Sequence, residues 1–142
     1  MTGNIAVFVT DQRQKNLAEY LSGKKVLLDW HKTQEKGAVE ELVKNCRYFI
    51  FPTPVSKLNR YPKIEDMLKH ELITETNNDK TVIGGAFTDK WTQYFQQHEI
   101  MYFDLMKEET VVQKNAYITA EATVAEILKY SDYSICGQKI IV

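Results

Sequence analysis

Ile5-Ala6-Val7-Phe8-Val9-Thr10-Asp11-Gln12-Arg13-Gln14 is the stretch that decides how this chain folds. Five apolar residues in succession, with no polar alternation, predict a strand buried on both faces, as in a parallel sheet. Asp11 follows at once and is placed to cap a helix, with Gln14 three positions later at the capping-box position. A strand that runs straight into a capped helix is the opening of an alternating α/β chain.

Similar apolar runs recur along the sequence. Val26-Leu27-Leu28, Tyr48-Phe49-Ile50-Phe51, Thr81-Val82-Ile83 and Met101-Tyr102-Phe103 predict four further strands. Helical rows lie between and after them: Leu17, Tyr20 and Leu21; Val39, Leu42, Val43 and Cys46; Ile64, Met67 and Leu68; Trp91, Tyr94, Phe95 and His98; Ala120, Val124, Ile127 and Leu128. Each row repeats at three- and four-residue spacing and so predicts a helix face that packs on a sheet. The alternation predicts an α/β fold: a flavodoxin-like, doubly wound parallel sheet of about five strands in the order 2-1-3-4-5, with helices on both faces. Pro52, Pro54 and Pro62 exclude regular helix and central strand just after the third run. Asn77, Asn78 and Asp79 mark a polar turn.

The 142 residues have a net charge of -1, with no basic excess to neutralise phosphates, which argues against a nucleic-acid partner. No apolar run approaches the roughly 18 residues of a membrane span, and the N-terminus lacks the pattern of a signal peptide. Cys46 and Cys136 are far apart and form no CxxC pair, so they read as reduced thiols of a cytoplasmic protein, with no metal site. No G-x-G-x-x-G and no Walker-type phosphate loop is present, so no cofactor site is expected in this chain. Phe51-Pro52-Thr53 stands where a response-regulator receiver needs an aspartate.

Ligands of open α/β sheets bind beyond the carboxyl ends of the strands. The residues expected there are Thr10, Asp11, Arg13 and Gln14 after the first strand, and Thr53, Pro54, Val55, Ser56 and Lys57 after the third. Gly84, Gly85 and Thr88 follow the fourth, and Asp104, Asn115, Thr119, Glu121 and Thr123 follow the fifth. This hydroxyl-rich set with two cations suits a small carboxylate, which arginine clasps in bidentate fashion. The paired glycines permit positive φ or a close approach of another chain segment. No nucleophile–base pair is recognisable, so the catalytic residues are unassigned.

Four segments together resemble one family. Residues 5–14, with their D-x-R-Q turn, are similar to the opening of the N-terminal domain in the larger, dehydrogenase subunit of dipicolinate synthase. Phe51-Pro52-Thr53-Pro54-Val55-Ser56 resembles its P-V-S segment, and Asn115-Ala116-Tyr117-Ile118-Thr119-Ala120-Glu121-Ala122-Thr123 resembles its N-x-x-P-T-x-E-G-T segment. Asp132-Tyr133-Ser134-Ile135-Cys136-Gly137 is similar to its D-Y-T-I-x-G lead-in to a Rossmann strand. The resemblance implies a substrate-side domain over residues 1–118, a connecting helix and lead-in over 119–136, and the start of a Rossmann strand at 137–142. It implies an NAD(P)-dependent oxidoreductase of sporulation in the full-length protein, with the nucleotide held by a C-terminal Rossmann domain and the small second subunit of the synthase for a partner. The ligand would be a dihydrodipicolinate-type dicarboxylate, bound by Asp11, Arg13, Pro54, Ser56, Gly84, Asn115, Thr119, Glu121 and Thr123, and this domain alone would not catalyse. Val9, Thr10, Ile118 and Ala122 depart from the family pattern, placing bulkier side chains where it has glycines, and isoleucine where it has proline.

The alternative is a non-enzymatic module that binds a small acid or another protein, including a second copy of itself. Ile127, Tyr130, Tyr133 and Ile135 would then line the interface.

Overall fold

A computed structural model describes residues 4–21, 25–29, 44–74, 79–132, 134–137 and 139. The strands are β1 (Asn4–Val9), β2 (Lys25–Asp29), β3 (Cys46–Ile50), β4 (Thr81–Gly84) and β5 (Met101–Asp104). The α-helices are α1 (Gln12–Tyr20), α2 (Pro62–Thr74), α3 (Asp89–Gln97) and α4 (Glu109–Tyr130). Two 3-10 helices, Val55–Arg60 and Leu105–Lys107, follow β3 and β5. The sheet order is β2-β1-β3-β4-β5 and every pairing is parallel, so the expected α/β class and parallel sheet are present.

The chain forms two compact units, Met1–Lys107 and Glu108–Val142. The division falls ahead of residue 118, and α4 runs through that position without a break. Residues 138 and 140–142, on which the expected last strand depends, lie outside the described residues, as do Val39, Leu42, Val43 and the turn at 75–78.

The core of the first unit follows from side-chain alternation along the strands. Ala6 and Phe8 of β1, Phe49 of β3, Phe51 just beyond it and Val82 of β4 form one layer, which Leu68 and Leu72 of α2 and Trp91 and Phe95 of α3 cover. A register shift between Asn4 and Ile5 leaves an extra residue in β3, which is why Cys46 and Phe49, three apart, are both buried. Aromatic rings fill this layer. Phe51 meets Phe8 edge-on at 5.2 Å and Trp91 at 5.3 Å, and Phe87 meets Phe95 at 5.3 Å. Such edge-to-face pairs add about 0.5–1.5 kcal/mol each to the area they bury. Across α2 and α3, the buried Glu65 carboxylate accepts from Lys69 at 2.5 Å and Lys90 at 3.3 Å, and Lys69 lies over the Trp91 ring at 4.5 Å.

Val7 points to the opposite face, where α1 lies against β1. Here the fold departs from the expectation. Leu17 and Tyr20 are not the buried row of α1; they are 38% and 86% exposed, and Gln14 and Ala18 face inward instead. The small Ala18 lets the helix approach the strand, and Gln14 is drawn in by the polar groups of the preceding turn. Three other helical rows also differ from expectation. Cys46 opens β3 and does not close a helix, and His98 is exposed at the end of α3, stacked on Tyr94 at 4.6 Å. The row Ala120, Val124 and Leu128 of α4 is exposed, with Ile127 half-buried, and no residue of this helix is buried. Val111, Tyr117 and Ile118 spread apolar surface around the rest of its circumference, so no single stripe dominates.

Candidate functional site

The β1–α1 turn is built around two side chains. Asp11 is the N-cap of α1; its carboxylate accepts from the Arg13 N–H at 3.0 Å and the Gln14 N–H at 3.3 Å. The Gln14 Oε1 closes the capping box by accepting from the Asp11 N–H at 3.2 Å, and it also takes the Thr10 N–H and Oγ1 at 2.7 Å each. These bonds satisfy backbone donors that a helix start leaves orphaned. They also turn the free oxygen of Asp11 outward.

Two cations meet that oxygen. Arg13 Nη2 reaches Asp11 Oδ2 at 2.9 Å and also donates to the Thr53 carbonyl at 3.3 Å. Lys57 Nζ, from the 3-10 helix after β3, pairs with the same oxygen. The Lys57 side chain is 25% exposed, that of Arg13 70%. Burial raises the Asp11 carboxyl, but the hydrogen bonds from Lys57, Arg13 and the Gln14 N–H outweigh it and hold the group well below the usual carboxylate range.

The chain after β3 forms the floor. The Phe51 N–H donates to the Ile83 carbonyl at 2.7 Å, and after the cis Thr53-Pro54 peptide the Val55 N–H donates to the Gly85 carbonyl at 3.0 Å. Gly85 has to be glycine for this approach: a Cβ there would lie 2.6 Å from Thr53 Cγ2. Gly84 is a packing glycine, since a Cβ would lie 2.7 Å from the Phe87 ring. Neither has positive φ; the left-handed residue of the turn is Ala86, at φ 57°. The buried Asp104 at the end of β5 holds this turn, accepting from the N–H groups of Ala86 at 2.9 Å, Phe87 at 3.1 Å and Met106 at 3.0 Å.

Of the residues expected at the site, Asp11, Arg13, Pro54 and Ser56 lie at this carboxyl end of the first unit, with Pro54 and Ser56 exposed. Gly84 is buried beneath Phe87. Asn115, Thr119, Glu121 and Thr123 lie on α4 in the second unit. There the Thr119 and Thr123 hydroxyls each donate to the carbonyl four residues back, at 2.8 Å. Thr53, Gly85 and Asp104, also expected at the strand ends, lie there and bond within the turns, and Lys57 is the partner of Asp11. No spacing signal links residues 46 positions apart, so the Lys57–Asp11 pair had no trace in the sequence beyond both lying at strand ends.

No family model, curated protein or solved structure matches the chain. The chemistry therefore rests on the geometry. Among the described residues no group of three or more His, Cys, Asp or Glu side chains is assembled for a metal, and no helix is long and apolar enough to cross a membrane. A Cβ at Gly84 or Gly85 would run into Phe87, Phe51, Thr53 or Met106, so both glycines serve close packing. Arg13 and Lys57 meet on one carboxylate oxygen beside the capped start of α1, and Arg13 also reaches the Thr53 carbonyl.

Proposed function

We propose that the carboxyl end of the sheet binds a small dicarboxylate through Arg13 and Lys57, and that the chain is the substrate-side domain of a dipicolinate-synthase-like NAD(P)-dependent dehydrogenase. The observation that carries this reading is the convergence of Arg13 and Lys57, from two different strand ends, on one oxygen of Asp11. The strand order supports it, being that of a flavodoxin-like sheet, whose ligands sit at this edge. Asp11 pairs with both cations and competes with a ligand carboxylate for them. A ligand carboxylate adds to the cluster from the solvent side, where Arg13 is open. The nicotinamide belongs to a separate nucleotide-binding domain, so this chain contributes binding and orientation and leaves hydride transfer to the assembled protein.

Calorimetric titration with pyridine-2,6-dicarboxylate tests the reading. The expected result is saturable binding in the millimolar range that weakens with added salt and disappears in Lys57→Met. A folded protein that takes up no dicarboxylate at about ten millimolar overturns it.

A second reading, a non-enzymatic protein-interaction module that includes self-association, draws on one observation. None of the 22 residues of α4 is buried, and Tyr117, Ile118, Leu128 and Tyr130 are exposed. Helices of this kind take most of their stability from packing. Light scattering distinguishes the readings: a concentration-dependent rise in mass favours the module, and a monomer at high concentration removes that support.

A further inference from the structure

The β4–β5 corner contains a buried acid whose three hydrogen bonds all go to backbone. Asp104 is 8% exposed, and its carboxylate takes the N–H groups of Ala86, Phe87 and Met106. Ala86 is exposed, yet it adopts φ 57°, a left-handed conformation that costs a non-glycine residue free energy and so must be held by its surroundings. Asp104 is the group that holds it. The residue before Ala86 is Gly85, whose carbonyl receives the Val55 N–H and where a Cβ would lie 2.6 Å from Thr53 Cγ2. Thr53 in turn offers its carbonyl to Arg13. A continuous line of contacts thus runs from Asp104 through the left-handed turn to the cation that faces solvent.

We propose that Asp104 is a positioning residue of the anion site: its carboxylate fixes the Gly85–Ala86 turn on which the Thr53–Val55 floor and the Arg13 guanidinium depend. This rests on the dicarboxylate reading above for the identity of the ligand, but not for the line of contacts. Asp104 itself touches no ligand. Its role is geometric: Oδ1 takes the Ala86 and Met106 N–H groups and Oδ2 the Phe87 N–H, and an amide of the same shape must turn its Nδ2 donor on one of the two sets.

Two readouts separate the outcomes: hydrogen exchange of the Val55 amide, which needs no ligand, and the Kd for pyridine-2,6-dicarboxylate. In Asp104→Asn the Val55 amide is expected to exchange at least tenfold faster and the Kd to rise about fivefold, with the far-ultraviolet spectrum unchanged. Ala86→Gly placed in that background removes the conformational cost and restores both. Ala86→Val, an exposed change that leaves Asp104 intact and strains the same turn, reproduces the loss should Asp104→Asn fold poorly. Leu72→Ala, a core truncation on α2, lowers stability without raising the Kd and so separates a general loss of stability from a displaced site. Unchanged Val55 exchange in Asp104→Asn and in Ala86→Val overturns the proposal, as does a loss that Ala86→Gly does not restore. If the parent protein binds no dicarboxylate while Val55 exchange responds as expected, the positioning line stands and the ligand reading fails.

Discussion

Replacing Asp11 with asparagine separates the two jobs that this carboxylate performs. Asparagine is as good an N-cap, so the Arg13 and Gln14 N–H groups keep their acceptor. The charge that neutralises Arg13 and Lys57 is lost. Partly exposed ion pairs contribute about 0–1 kcal/mol each, so stability should fall by about 1 kcal/mol, or roughly 3–5 °C in melting temperature for a domain of this size. Anion binding should move the other way. A ligand carboxylate on the two cations would sit about 5 Å from Asp11, where like charges repel by about 0.8 kcal/mol in water and about 3 kcal/mol at an effective dielectric of 20. For a site open on the Arg13 side, about 1–2 kcal/mol is a fair value, or a five- to thirtyfold tighter Kd. Calorimetry at low and high salt, beside a thermal melt, reads both effects. A variant that loses affinity together with stability would refute the reasoning, because Asp11 would then be holding the cations in place and not competing with the ligand.

Other outcomes follow from the same packing and charge pattern. Phe51→Ala, at the centre of the ring cluster, should cost about 3–5 kcal/mol in urea unfolding, and a loss below about 1 kcal/mol would mean that the aromatic layer is not the core. Only Cys136 should react with a thiol reagent in the folded protein, since Cys46 is buried and burial pushes its thiol up; two fast thiols would contradict the β3 placement. Burial raises the Glu65 carboxyl, but Lys69 and Lys90 outweigh it and hold the group below its ordinary value, as Lys57 and Arg13 do for Asp11. Both acids therefore stabilise the fold above the unfolded carboxylate range, near about pH 4, and that contribution is lost as pH falls through their lower folded values. The urea midpoint should drop between about pH 5 and pH 2, and less steeply in Glu65→Gln.

The sheet was legible because each strand is a short apolar run with no competing helical period, and the start of α1 because a capping box lies within four residues. Local chemistry of that kind needs no knowledge of the rest of the chain. The inward face of α1 was not legible: hydropathy selects Leu17 and Tyr20, whereas close approach to β1 selects Ala18, and Gln14 is buried because the turn before it supplies three donors. Asp104 reads in sequence as a polar strand end, and only the fold brings three backbone N–H groups to it. Ala86 carries no sign of positive φ, since the adjacent glycines attract that assignment and use their freedom for close packing instead. Arg13 was recognisable as a cation at a strand end, but its alignment with Lys57 on Asp11 depends on the β1–β3 pairing, which brings the two strand ends side by side.

An anion site at the β1 and β3 strand ends would reveal itself in amide shifts mapped in a ¹⁵N-labelled protein during titration with pyridine-2,6-dicarboxylate. Saturable shifts are expected at residues 10–14, 53, 55–57 and 85–86, absent in Lys57→Met. Shifts confined to other residues, or none at about ten millimolar ligand, would contradict it.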